Sequence, residues 1–163
     1  IATPYRAGSA QELLALRPTI LRGNASEVLA LAGEAGAGKG ADSGDSVAAA
    51  EAAARALAQR SGAVVAVTGP QDLVTAGTRA RHVSGGSPLM PQITALGCSL
   101  TALMGGYAAV CPPFEAATAS LAHFSSAAAR AEPLAQGPGT FMVHFLDALA
   151  AVTPADLDAV PIA

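Results

Sequence analysis

The stretch "GAVVAVTGP", Gly62 to Pro70, decides how this sequence is read. Six residues, Ala63 to Thr68, form an uninterrupted apolar run rich in β-branched side chains. Gly62 bounds it on one side and Gly69-Pro70 on the other. A run this short and this apolar is a strand buried on both faces, as in the centre of a parallel sheet. The segment before it, Val47 to Arg60, is alanine-rich and carries Glu51, Arg55 and Arg60, a helix pattern that Gly62 stops. Earlier still, "TIL" (Thr19 to Leu21) follows Pro18 and reads as a short strand. "NASEVLALAG" reads as a helix that starts at Asn24 and stops at Gly33.

Downstream, "LVT" and "RARHV" flank Gly77 and read as an antiparallel pair. Cys98 opens the next helix, and two more run from Phe114 to Ala131 and from Phe141 to Val152. Strands alternating with helices predict a layered α/β domain with a mostly parallel central sheet flanked by helices. There is no internal repeat.

Bulk properties narrow the function. The 163 residues suffice for one core-bearing domain. A composition of 52% hydrophobic and 13% charged residues argues against disorder. Its net charge of −3 argues against binding nucleic acid or an anionic membrane. The longest apolar run, about a dozen residues, is too short to span a bilayer. No signal-peptide pattern is present at the start. The chain opens on Ile1 and runs straight into "ATPYR", so a processed or partial chain is expected.

Two cysteines, Cys98 and Cys111, do not make a disulfide framework. On one helix they would stand about 20 Å apart. Free thiols in the cytoplasm or another reducing compartment are expected. His82, His123 and His144 have no metal-ligand spacing.

Four motifs bear on chemistry. "GEAGAGKG" has phosphate-loop spacing from Gly33 to Lys39. Gly40 stands where a Ser or Thr should meet magnesium, however, and a helix precedes the loop where a strand should. It reads as a connection. In "RGNASE", Asn24 caps a helix and Glu27 reaches back to it. The same helix start, beside Arg22, also suits a polyphosphate or its magnesium shell. Thr68 ends the buried strand, where α/β sheets bind ligands, although a threonine there is by default a turn residue.

The fourth motif is "TALGCSL", Thr94 to Leu100. Gly97 permits close backbone approach, and the amides of Leu96, Gly97 and Cys98 converge at a helix start. There the dipole would favour a thiolate able to act as base or nucleophile. The competing reading is a buried cysteine serving as a small apolar residue.

Taken together, "LRPTILRGNASEVLALAG", "GKGADS", "GAVVAVTGPQDLVTAG", "SGGSPLMPQITALGCSLTAL" and "GPGTFMVHFLDAL" resemble the hydroxyethylthiazole kinase family of the ribokinase-like superfamily. The blocks stand in family order. "ATPYR" resembles the segment just after the family's Asp-Pro-Val-Gly strand end. The resemblance therefore implies the C-terminal part of one ribokinase-like α/β/α domain, residues 1–163, without the preceding strands or their thiazole-contacting methionine. It implies ATP- and Mg²⁺-dependent phosphorylation of the hydroxyl of 4-methyl-5-(2-hydroxyethyl)thiazole, in a trimer with thiazole sites between subunits.

By position, Arg22 and Thr68 would contact the nucleotide, and Asn24 and Glu27 would organise magnesium and phosphates. Cys98 would be the catalytic base, Leu96 and Gly97 would form the anion hole, and Ala95 would face substrate. The family motif before the cysteine is Gly-Thr-Gly, where this chain has Ala95-Leu96-Gly97, and the family's acidic residue after Gly69 is Pro70. Ala95 adds a methyl beside substrate, and Leu96 puts a bulky apolar group beside the anion hole. These departures carry the alternative reading, an impaired paralogue kept as a structural or assembly subunit.

Overall fold

The computed structural model describes residues 3–33 and 44–163, so the "GEAGAGKG" loop after Gly33 lies outside the described residues. The chain divides into two compact units, Ile1–Arg81 and His82–Ala163.

The first unit is built on the strand read first. β1 (Ile20–Asn24) pairs in parallel with β2 (Val64–Thr68), Arg22 opposite Ala66 and Asn24 opposite Thr68. β3 (Asp72–Thr75) pairs antiparallel with β2, Val67 opposite Leu73. β4 (Ala80–Val83) completes the order β1-β2-β3-β4. The α/β class expected from the sequence holds, but the sheet in this chain is mixed. The strand expected between parallel neighbours has one parallel and one antiparallel partner. Only residues 69–71 link β2 to β3, far too few for the crossover that parallel strands need.

Gly77 turns the β3–β4 hairpin at φ +88°, and a side chain there would collide with Gln59.

Helices α2 (Ala25–Ala32) and α3 (Gly44–Ser61) pack against one face of this sheet. Val28, Ala54, Leu57, Ala58, Val65, Val67 and Leu73 form the core there, with Leu21 at its edge. Alanines on α3 let its backbone lie close to the strands. Side chains alternate along a strand, so Arg22, Ala66 and Thr68 share the opposite face. A helix absent from the expectation, α1 (Pro4–Ala15), precedes β1 and buries no residue.

The second unit is helical. α5 (Pro113–Ala131) is its axis, with Phe114, Leu121 and Phe124 buried, and it packs on α4 (Leu96–Ala108) and α6 (Pro138–Ala150). Phe124 meets Phe145 edge-on with centroids 5.0 Å apart, and Phe145 stacks on Phe141. The buried hydroxyls of Thr118 and Ser120 donate to carbonyls one turn back, at Phe114 and Ala116. Near the far end of α4, the Tyr107 hydroxyl meets Nδ1 of His123 at 2.9 Å. Nε2 of His123 lies 2.9 Å from the Leu149 carbonyl, so it carries the proton and donates. α7 (Pro154–Asp158), also unforeseen, follows, and Ile162 bridges to Val83.

Candidate functional site

Each unit holds one group of the residues singled out in the sequence. In the first unit the group stands where β1 and β2 end. Arg22 projects from mid-β1 and its Nη2 donates to the Thr68 hydroxyl oxygen at 2.8 Å. That oxygen lies 3.4 Å from the Gly23 carbonyl. The Nε of Arg22 is buried and has no hydrogen-bond partner. A buried guanidinium donor without an acceptor costs on the order of 1–3 kcal/mol, and an anionic ligand would relieve that cost.

β1 runs directly into α2, and Asn24 serves both elements. Its Oδ1 accepts from the Glu27 amide at 2.9 Å and from the Ser26 hydroxyl at 2.8 Å, while Glu27 Oε2 accepts from the Asn24 amide at 2.8 Å. The capping box read from the sequence is present. Gly23 is packed close to this box, since a Cβ there would lie 3.2 Å from that of Glu27. The cap bond engages Oε2 of the Glu27 carboxylate. Magnesium binds through one or two carboxylates together with substrate phosphates and water, which suits a single carboxylate at a helix start. Among the described residues no cluster of three or more His, Cys, Asp or Glu forms an all-protein metal cage.

Sequence reasoning missed Asp72. The antiparallel register places it one step beyond the Val67–Leu73 pair, across from Thr68 and on the Arg22 face. Its Oδ1 accepts from the Gly69 amide at 2.9 Å. Burial pushes its carboxyl from 3.8 up to about 6, against the opposing pull of the Gly69 bond and the Arg22 charge. An aspartate after Gly-Pro reads as turn chemistry, and only the register reveals what it faces.

In the second unit, α4 begins at Leu96, so Cys98 sits in its first turn. Cys98 is exposed and unpaired, which removes the buried-spacer reading. Ala95, the residue before the helix, is left-handed at φ +69°, and no side chain caps the helix start. The first amide of the turn to find a carbonyl is that of Ser99, on Ala95. The amides of Leu96, Gly97 and Cys98 are those that a helix start leaves without intrahelical partners.

Leu96 departs from expectation. Its side chain is 6% exposed and lies with Leu100 and Met104 on the buried stripe of α4. It packs inward with them. Ala95 holds a backbone conformation that favours glycine.

The model of the Hydroxyethylthiazole kinase family matches residues 1–155. The chain belongs to the hydroxyethylthiazole kinase family. It is 66% identical over 153 residues to a hydroxyethylthiazole kinase of Roseobacter denitrificans, covering 94% of this chain and 60% of that protein. It is 63% identical over 156 residues to one of Gemmatimonas aurantiaca, covering 96% and 56%. A solved hydroxyethylthiazole kinase of Pyrococcus horikoshii superposes with a TM-score of 0.89 at 31% identity, covering 99% of this chain and 61% of that one. The chain thus spans about 60% of the length of the family members it matches. Its ribokinase-like α/β architecture is the one it shares with that structure. No described helix is long and apolar enough to cross a membrane.

Proposed function

We propose that this chain carries the nucleotide-contacting and base-bearing part of a kinase that transfers the γ-phosphoryl group of ATP to the hydroxyl of 4-methyl-5-(2-hydroxyethyl)thiazole, in thiamine biosynthesis. The observation that carries the reading is the family match over residues 1–155, and the roles of Arg22, Thr68, Asn24, Glu27 and Cys98 follow from the resemblance of their motifs.

In the first unit, Arg22 and Thr68 contact the nucleotide, and the buried, unpartnered Nε of Arg22 supports this. Asn24 and Glu27 hold the phosphates and Mg²⁺ at the start of α2. The ion, when bound, neutralises charge building on the phosphate oxygens. In the second unit, Cys98 Sγ takes the proton of the thiazole hydroxyl. The hydroxyl oxygen bonds to the γ-phosphorus as the bond to the β–γ bridging oxygen breaks, and ADP leaves. The open amides of Leu96, Gly97 and Cys98 stabilise the phosphoryl oxygens, and Ala95 lies against the substrate.

Both units belong to one kinase domain in this reading, and the working form is a homo-oligomer, a trimer by family resemblance. Exposed Tyr5 and Leu13 on α1, with Leu16 just after it, support association with further protein. Two unpaired thiols support a reducing compartment such as the cytoplasm.

The test is phosphorylation of the thiazole alcohol with ATP and Mg²⁺ by the chain together with the remaining part of the kinase, beside calorimetric titration with ATP. Turnover with binding supports the kinase. ATP binding without turnover would move the reading to an impaired paralogue, and absence of both would end it.

A further inference from the structure

We propose that Asp72 is a positioning residue for the nucleotide, acting through the Gly69 amide on Thr68. The proposal rests on the reading of Arg22 and Thr68 as nucleotide contacts.

Three features place it. Asp72 begins β3 across from Thr68, on the sheet face that carries Arg22. Its Oδ1 holds the amide of Gly69, the residue that immediately follows Thr68. Pro70, the next residue, has no amide to donate, and the Gly69 bond ties the start of this turn to the Asp72 side chain. The carboxyl is largely withdrawn from water, and a hydrogen bond in such surroundings fixes geometry more firmly than one at the surface.

The chain of effect is short. With Gly69 held, the last peptide of β2 keeps its register opposite Asn24, and the Thr68 hydroxyl stays between Arg22 Nη2 and the Gly23 carbonyl. That contact aims the guanidinium. Without the Asp72 acceptor, Gly69 regains a glycine's wide backbone freedom and Thr68 loses its fixed end. Arg22 then contributes to nucleotide binding only after it has been re-ordered.

The test uses ATP affinity measured by calorimetry on the full chain, with KM for ATP and kcat measured in the thiazole-kinase assay. Asp72→Ala removes the acceptor, and ATP affinity and KM should worsen about 10-fold while kcat changes less than about threefold. Asp72→Asn keeps an acceptor oxygen in the same place, and ATP affinity should return to within about threefold of the natural chain. Should Asp72→Ala fail to fold, Asp72→Thr, which suits a strand but whose oxygen is too short to reach, should show the same loss. A purely structural role would lower the melting temperature and leave the affinity of the folded protein unchanged, which would overturn the proposal. Equal losses in Asp72→Asn and Asp72→Ala would also overturn it. If the natural chain binds no ATP, the nucleotide reading itself fails and the proposal with it. Normal ATP binding in all variants defeats the proposal alone.

Discussion

The starts of α2 and α4 are built in opposite ways. At α2, Asn24 and Glu27 bond reciprocally, and Ser26 adds a third bond to the cap. At α4, Ala95 offers no capping atom and stands left-handed at φ +69°. A helix start without a cap forgoes about 1 kcal/mol, and a left-handed alanine costs about 1–2 kcal/mol more. The first arrangement satisfies the helix from within. The second leaves amides available to a ligand and places Cys98 beside them, as a phosphoryl-transfer site needs.

The sharpest way to break this comparison is at the uncapped end. Cys98→Ala should lower kcat by about 10²–10⁴-fold, the usual contribution of a general base, with little change in melting temperature since the thiol is exposed. A fall below threefold in a steady-state assay would show that the open start of α4 does not carry a base.

Next is Arg22→Ala at the satisfied end. Loss of a charge-assisted contact should weaken ATP binding by about 1.5–3 kcal/mol, read by calorimetry. Unchanged affinity would separate α2 and its neighbours from the nucleotide.

Asp72 gives a pH test of comparable size. Its folded value, about 6, lies above the unfolded 3.8, so the folded state holds the proton more tightly. The residue therefore costs nothing below about pH 4, and its cost grows as pH rises through 6. Asp72→Asn should match the natural chain at pH 4 and exceed it by on the order of 2–3 kcal/mol at pH 8, measured by denaturant unfolding. A difference that stays constant with pH would contradict the raised carboxyl.

Two smaller effects sharpen the contrast between caps. Asn24→Ala should destabilise the chain by about 1 kcal/mol. Ala95→Gly should stabilise it by about 0.5–1 kcal/mol, because relief of the left-handed backbone exceeds the entropy that glycine adds to the unfolded chain. Adding Leu96→Thr would then lose stability, since the leucine is buried. If Ala95→Gly melts lower than the natural chain, the strain assigned to this turn is absent.

The cap of α2, the buried run of β2 and the extent of α5 were legible because each is written in neighbouring residues. α1 and α7 escaped notice, although both begin with Thr-Pro. Thr3 and Thr153 cap them with Pro4 and Pro154 in the first turn, a local signal that could have been read. Their weak apolar pattern hid them, as α1 buries nothing.

The mixed sheet was also legible in principle, since three residues between β2 and β3 permit only an antiparallel return. The inward turn of Leu96 and the place of Asp72 opposite Thr68 were not. Both depend on the phase of a helix or the register of a strand relative to elements distant in sequence. Arg22 and Thr68 are 46 positions apart and meet only through the β1–β2 pairing.

The relay from Tyr107 through His123 to Leu149 has a mechanical consequence for Cys98. At 1.5 Å per residue, Tyr107 and Cys98 lie about 14 Å apart along α4. The relay fastens one end of this rod, and buried Leu96 and Leu100 seat the end that bears the thiol. A pivot of only about 4° at the fastening sweeps the sulfur through about 1 Å, a misplacement on the scale that can cost a reaction about 100-fold in rate. The two hydrogen bonds at His123 and the buried Leu96, Leu100 and Met104 thus pin α4 at both ends, and a helix held that way leaves the thiol little room to swing.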